Sequence, residues 1–240
     1  MKHTSEAGVP NRFLRGEIMR KSNMRFIRLM RGLIVFLIVA IASPIAESQQ
    51  SQSGTPIKLP APQITGGMPL MQALAERRTT RTFRDQPLPL QALSNLLWAA
   101  FGVNRPRDVK PGLGRTAPSA MNRQEVQLYV VLPDGAFVYV AEANMLQPVV
   151  KGDLRAKMGS GDAAKAAVTI IYVADPKNDY AQVDVGFIGQ NAYLFAASEG
   201  LNAWFYALHG QNDAAAISAA LQLPADRHPL YGQSIGYPTK

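Results

Sequence analysis

No cysteine occurs among the 240 residues. Disulfide scaffolds, thiolate zinc sites and cysteine-nucleophile enzymes are therefore excluded. Histidine is almost as scarce, with three in the chain. His209 and His228 have no acid at ligand spacing, so no metal site is expected. Charged residues make up 18% against 47% hydrophobic, and acids are the scarcer sign, with 17 Asp+Glu against 25 Lys+Arg. A chain this apolar can bury a core, and its length suits one domain, two at most. The net charge of +8 would serve nucleic acid, an anionic membrane or a phosphorylated ligand, and its placement decides among them. No internal repeat and no phosphate-loop lysine motif is present, and Gly112-Leu-Gly114 has no strand before it. Gly232-Gln-Ser234-Ile-Gly236 has the spacing of a hydrolase nucleophile elbow. That elbow needs a following helix with acid and histidine partners downstream, and Pro238 stands there instead.

The positive charge is unevenly placed. Residues 1–48 hold eight basic residues (Lys2, Arg12, Arg15, Arg20, Lys21, Arg25, Arg28, Arg31) and three acids (Glu6, Glu17, Glu47), which is +5 of the total. Residues 32–42 then run without a charge, and small residues follow at Ser43 to Ser48. A basic region, a short apolar core and small residues describe an export signal. The apolar run spans roughly 16 Å as a helix, short of the roughly 30 Å hydrocarbon layer. Residues 1–48 are read as a signal peptide, with an N-terminal membrane anchor through residues 32–42 as the alternative, and Met19 or Met24 as alternative starts. The expected location is thus periplasmic or otherwise extracytoplasmic. No adjacent Arg pair precedes the apolar run and no Cys follows it, so neither a twin-Arg signal nor a lipoprotein anchor is expected. Residues 49–67, rich in Gln, Ser, Pro and Gly, read as a linker, and the folded domain as residues 68–240.

Within that domain, Met68 to Glu76 has the pattern of a helix with Leu70, Met71 and Leu74 inward. Leu90 to Phe101 is a second amphipathic helix, with Leu93, Leu96, Leu97, Ala100 and Phe101 inward and Gly102 at its end. Residues 102–117 read as a loop. Val126–Leu132 and Ala136–Val140 flank Pro133-Asp134-Gly135 as a hairpin. Ala167–Ala174, wholly apolar and β-branched, reads as a buried central strand. A long helix over Val183–Glu199, a strand over Asn202–Leu208, a helix opened by Asp213 and a strand over Tyr231–Tyr237 complete the pattern. Helices mixed with an early hairpin indicate an α+β domain rather than a doubly wound sheet.

Two clusters carry chemistry. Arg77-Arg78-Thr79-Thr80-Arg81-Thr82-Phe83-Arg84 places four guanidiniums among hydroxyls. A helix end attracts one or two cations through its dipole. Four, interleaved with threonines, fit a phosphate with further polar groups, because Arg offers a bidentate fork and Thr a short neutral donor. Thr116-Ala117-Pro118-Ser119-Ala120-Met121-Asn122-Arg123-Gln124 reads as a tight turn opening a helix. Its small residues permit close approach of a planar ligand, and Asn122 and Gln124 supply donors and acceptors. An ordinary loop and cap is the alternative for this segment. No aromatic-rich basic stripe indicates nucleic acid.

In order and spacing these clusters resemble the nitroreductase family of FMN-dependent oxidoreductases over about residues 68–238. Gly189-Gln190-Asn191-Ala192-Tyr193-Leu194-Phe195-Ala196-Ala197-Ser198-Glu199-Gly200-Leu201 is similar to that family's central helix, and Ile235-Gly236-Tyr237-Pro238 to its closing strand. Leu96-Leu97-Trp98-Ala99-Ala100-Phe101-Gly102 most resembles the subgroup of SagB-type and thiazoline/oxazoline oxidase-like dehydrogenases.

The resemblance implies a mostly antiparallel sheet flanked by helices, an intertwined homodimer, FMN as cofactor, NAD(P)H as electron donor and a small-molecule substrate. It implies that Arg77, Arg78, Thr79 and Arg81 form the first FMN-binding segment. Arg77 and Thr79 would meet phosphate and ribityl, and Arg81 the N1/O2 edge of the ring, where a cation favours reduction. Pro118, Ser119 and Ala120 would pack on FMN from the partner subunit, Asn122 would meet ring or ribityl, and the backbone of His209-Gly210 would face N5 and O4. The chain departs from the family's pattern in Thr79 for the usual Ser and in His209 for the usual acid. Lys240 is the candidate for the family's basic tail. No side chain is expected to act as a dedicated acid or base. A non-catalytic exported protein that keeps the fold and binds flavin, or a partner, is the alternative. The charge fits this division: without residues 1–48 the chain keeps 17 basic and 14 acidic residues, and residues 77–123 alone hold nine basic and two acidic.

Overall fold

The computed structural model describes residues 54–105, 114–208 and 213–239. The leader over residues 1–48, His209, Gly210 and Lys240 lie outside them. The centre is a seven-stranded sheet formed by β1 (Ile57–Lys58), β4 (Gln127–Leu132), β5 (Gly135–Val140), β6 (Met145–Lys151), β7 (Val168–Ala174), β8 (Asn202–Ala207) and β9 (His228–Gly236). Its order is β1-β6-β5-β4-β7-β9-β8, with every neighbouring pair antiparallel. The short β2 (Val103–Arg105) and β3 (Gly114–Arg115) pair separately. Among the described residues five α-helices accompany the strands: α1 (Leu70–Glu76), α2 (Leu90–Phe101), α3 (Arg155–Met158), α4 (Ala181–Ser198) and α5 (Ala214–Ala220). The domain is α+β, as the mix of patterns indicates.

Alternation along the strands sorts side chains onto two faces. Leu128, Val130, Val168, Ile170, Tyr172 and Ile235 meet α2 and α4, including Leu93, Leu96, Leu97, Val185, Ile188 and Ala192. Tyr129, Val131, Ile171 and Val173 meet Leu154, Met158, Ile217 and Leu221 on the opposite face. Covered on both faces, β7 is buried at every position, which is why its sequence is nearly continuously apolar rather than alternating. The hairpin register pairs Leu132 with Gly135. A Cβ at Gly135 would lie 2.4 Å from the Val150 carbonyl oxygen, so only glycine lets β5 approach β6 there. At Gly189 a Cβ would lie 2.9 Å from the Phe205 ring, so this glycine lets α4 settle close on the sheet.

Ser234 of the elbow-like Gly-Gln-Ser-Ile-Gly run is fully buried in β9. Its Oγ lies 3.0 Å from Thr169 Oγ1 and 3.3 Å from the Tyr206 hydroxyl. It ties strands and helix together, since Tyr206 also donates to the Met158 carbonyl at 2.9 Å. Burial pushes the Tyr206 pKa up to about 12.

Several sequence expectations are revised. Leu70, Met71 and Leu74 are 62%, 76% and 44% exposed, and α1 buries only Ala73. Seven residues make two turns, too few to present a wide apolar stripe to one neighbour. The loop over 102–117 contains the β2–β3 ladder. The turn at Pro118-Ser119 opens a single 3-10 turn, Ala120–Asn122, rather than an α-helix. Part of the compositional linker is built into the domain: Ile57 pairs with Leu146, Leu59 is buried, and the Pro60 carbonyl accepts from Ser94 Oγ at 2.6 Å and Asn144 Nδ2 at 2.8 Å. Proline and serine content marks absence of helix, and an extended edge segment has the same composition. Strand β6 carries Pro148 and Gln147, which weaken its apolar signature, and the sequence pattern leaves it unread.

Candidate functional site

The basic segment after α1 runs beside β8, which forms an edge of the sheet. The Thr80 N–H donates to the Ala203 carbonyl at 2.9 Å, the Arg84 N–H to the Tyr237 carbonyl at 2.9 Å, and Asn202 Nδ2 to the Thr82 carbonyl at 2.8 Å. Phe83 is buried and pins the far end of the segment. The segment is thus anchored at Thr80, Thr82, Phe83 and Arg84, with Arg78 and Arg81 exposed.

Tyr193, on α4, is the hub. Its hydroxyl accepts from the Phe205 N–H at 2.8 Å and lies 2.9 Å from Thr79 Oγ1. In the arrangement that satisfies all three groups, Tyr193 donates to Thr79, and the Thr79 proton is left for an outside acceptor. Arg77 lies over the Tyr193 ring at 5.2 Å and Arg81 over Trp204 at 5.5 Å. Arg78 donates to the Glu76 carbonyl at 3.3 Å. Among the described residues, none of Arg77, Arg78 and Arg81 is ion-paired. A small recess of about 170 Å³ opens here between Arg78, Thr80, Tyr193 and Asn202. Three uncompensated guanidiniums with a threonine donor held between them fit the phosphate and hydroxyls of a mononucleotide cofactor.

The second segment is held by a residue that the sequence reading misses. Asp184, 2% exposed in the first turn of α4, accepts the Ala120 N–H at 3.0 Å. Burial raises its pKa above the usual carboxylate value, opposed by the Ala120 hydrogen bond and assisted by the nearby Glu125 charge. An acid embedded in an apolar helix is a signal legible in sequence. The hub role of Tyr193 is not, because a tyrosine at a helical core position reads as packing. Ser119 Oγ accepts the Gln124 N–H at 3.1 Å, and Pro118 is exposed.

These two clusters lie apart within the chain. Asp184 and Tyr193 are nine residues apart on α4, which is about 13 Å along the axis and about half a turn out of phase. The helix holds Ala120 at its beginning on one side and Thr79 further along on the other. Exposed apolar side chains border both, with Leu70 and Met71 near the basic segment and Met121, Val183 and Phe187 near the other. A larger cavity of about 490 Å³ lies between residues 63–70, α2 and α4, with Asn95, Trp98, Asn191 and Ser198 in its wall.

Comparison with known proteins agrees with this architecture. The model of the "Nitroreductase family" matches residues 74–237. A protein of Methanocaldococcus jannaschii that carries the name of a nitroreductase is 28% identical over 153 residues, covering 55% of this chain and 75% of its own length. A nitroreductase-named structure from Ralstonia eutropha JMP134 is 35% identical with a TM-score of 0.70, covering 79% of this chain and 92% of its own. Another from Anabaena variabilis shares the fold at a TM-score of 0.63 and 20% identity, with 77% of this chain and 42% of its own covered. The chain therefore belongs to the nitroreductase family.

Proposed function

We propose that this protein is an FMN-dependent oxidoreductase that works as a homodimer on a small-molecule substrate. Membership of the nitroreductase family supports flavin-dependent redox activity. The observation that carries the reading in this chain is the basic segment locked to Tyr193 and β8, with Arg77, Arg78 and Arg81 free of carboxylate partners among the described residues. FMN, when bound, supplies a centre that accepts and donates hydride, with NAD(P)H or an organic substrate as donor.

The chain's residues then have defined tasks. Arg77 and Arg78 bind the phosphate, and Thr79 donates to it or to the ribityl chain. Arg81 holds positive charge beside the reducible ring, where it favours the reduced form. Pro118, Ser119, Ala120 and Asn122 serve the site of the partner copy. Their separation from Thr79 along α4, and the exposed apolar residues Leu70, Met71, Val183 and Phe187, support a two-chain site. His209-Gly210 and Lys240 complete the proposed set. Export through residues 1–48 belongs to the same proposal, and the flavin serves either direction: reduction of an acceptor with NAD(P)H as donor, or oxidation of an organic substrate, as in the subgroup that Leu96–Gly102 resembles.

The test is flavin extraction from the purified protein with an absorbance spectrum. A yellow protein that releases FMN is expected. A colourless protein that also fails to take up added FMN would refute the proposal. Arg81→Ala is expected to weaken FMN binding and slow turnover while leaving the fold intact. Unchanged affinity and rate would remove its assigned role.

A further inference from the structure

The basic segment ends on an acid. Residues 77–123 hold nine basic residues and two acids, and one of those acids, Asp85, directly follows Arg84. A carboxylate beside an anion-binding segment opposes the anion unless its charge is engaged elsewhere. Asp85 is engaged: its Oδ1 accepts from Arg155 Nη1 at 3.0 Å.

Arg155, the first residue of α3, makes this more than an ordinary surface pair. Its side chain is 7% exposed, against 66% for Asp85 and 46% for Asp153. Nε donates to Asp153 Oδ1 at 3.0 Å and Oδ2 at 3.2 Å, and Nη2 to Asp153 Oδ2 at 2.7 Å. Nη1 donates to the Ala166 carbonyl at 3.0 Å as well as to Asp85. The guanidinium is a rigid planar fork, so fixing two of its nitrogens fixes the third. Asp153 and Ala166 set where Nη1 points, and Nη1 sets where Asp85 stands. The neighbours of Asp85 are seated at the same place, where β7 begins and β9 ends. Phe83 is buried, the Arg84 N–H donates to the Tyr237 carbonyl, and a Cβ at Gly236 would lie 2.8 Å from the Ala167 nitrogen and 3.4 Å from the Phe83 ring. The basic segment is therefore tied by side chains at both ends, from Thr79 to Tyr193 and from Asp85 to Arg155, with Arg81 in the span between them.

We propose that Arg155 is a positioning residue that, through Asp85, holds the far end of the basic segment in the form that receives the flavin. This rests on the reading above that the segment binds FMN. A segment beside a sheet edge that is tied at one end can peel from the other, and its arginines then have to be ordered by the ligand. The buried guanidinium removes that freedom beforehand. It also occupies the one carboxylate that would otherwise face the anion from within the segment's own end.

Asp85→Ala provides the test, because charge and position predict opposite signs. Removing a negative charge beside an anion site should tighten FMN binding, whereas releasing the segment should weaken it. Two quantities are read on the full chain stripped of flavin: amide hydrogen exchange of residues 77–86 by mass spectrometry, and the dissociation constant of added FMN by flavin fluorescence. Asp85→Asn removes the same charge but keeps an oxygen for Nη1. In Asp85→Ala the exchange of residues 77–86 is expected to quicken about threefold or more, with β7 unchanged, and the FMN dissociation constant to rise by a similar factor. Asp85 is exposed, so the melting temperature should stay within a few degrees of wild type. Asp85→Asn is expected to recover most of both effects. Unchanged exchange in Asp85→Ala, or FMN bound as tightly as in wild type or more tightly, would overturn the proposal. Equal behaviour of the alanine and asparagine variants would do so too, since charge alone would then account for it. If Asp85→Ala does not fold, Arg155→Lys keeps the charge but cannot serve all its partners at once, and it should quicken the same exchange; exchange as slow as wild type there refutes the tie. A wild-type protein that does not bind FMN would instead refute the FMN reading, while the exchange measurement would still decide whether Arg155 holds the segment.

Discussion

Removing one oxygen at Tyr193 tests whether the basic segment is held in place from α4. Tyr193→Phe keeps the ring, and so keeps the platform under Arg77 at 5.2 Å. It deletes the acceptor of the Phe205 N–H and the partner of Thr79 Oγ1, at 2.8 and 2.9 Å. Thr79 is exposed and can turn to water, so its loss costs little stability. The Phe205 N–H points outward from an edge strand and is partly buried, and a donor left unpaired in such a place costs about 1–2 kcal/mol. For a domain of this size, that lowers the melting temperature by roughly 3–6 °C. Freed from its tether, Thr79 must be ordered by the ligand, which should weaken FMN binding several-fold, mainly through faster dissociation. Differential scanning calorimetry of the stripped protein and stopped-flow flavin fluorescence read the two effects separately. A melting temperature and FMN off-rate both equal to wild type would show that the segment is not held from the helix, and the assembly of the site argued above would fail with it.

Two further outcomes follow from buried or paired carboxylates. Asp184 has its folded pKa raised, chiefly by burial, so ionisation opposes folding; the penalty is absent in acid and sets in as pH rises through the folded pKa. Asp184→Asn, which can still accept the Ala120 N–H, should melt higher than wild type at pH 7, with the difference shrinking toward pH 4; equal melting curves across that range would contradict the assignment. Asp153 has its pKa lowered, first by the hydrogen bond from Arg155. Its contribution is therefore present above the ordinary carboxylate range and lost as pH falls through the folded pKa. Asp153→Asn should lower stability at pH 7 and flatten the acid limb of the pH–stability curve. An acid limb as steep as wild type would show that the Arg155 contact contributes nothing.

Where the sequence reading succeeds and fails is a matter of which signals are local. Helix α2 was legible because its five inward residues repeat at helical spacing and all five are buried. Strand β7 was legible because burial on both faces leaves it almost wholly apolar and without a charge. The hairpin announced itself through Pro133-Asp134-Gly135. By contrast, the apolar residues of α1 gave the right helix and the wrong environment: periodicity reports that a face is apolar, not whether the fold covers it. Ile57–Lys58 was hidden because two residues paired with Met145 and Leu146 have no period of their own. The chemistry of the arginine segment was visible in residue types, while its tether to Tyr193 joins positions 114 apart in sequence and leaves no local trace.

The sequence by itself determined the alternation of apolar and polar positions, the turn chemistry and the gathering of positive charge into residues 77–123, since each depends on neighbours within a few positions. From these came the α+β class, the family resemblance and the expectation of an anionic cofactor. Only the tertiary structure decided that Arg77–Arg81 and Ser119–Asn122 lie along and across α4 from one another, and that Asp184 and Tyr193 hold Ala120 and Thr79 there. Those facts depend on packing α4 against the sheet and on hydrogen bonds whose donors and acceptors are remote in the chain. A linear pattern carries the identities of such groups, and the fold supplies the distances and directions that turn them into a site.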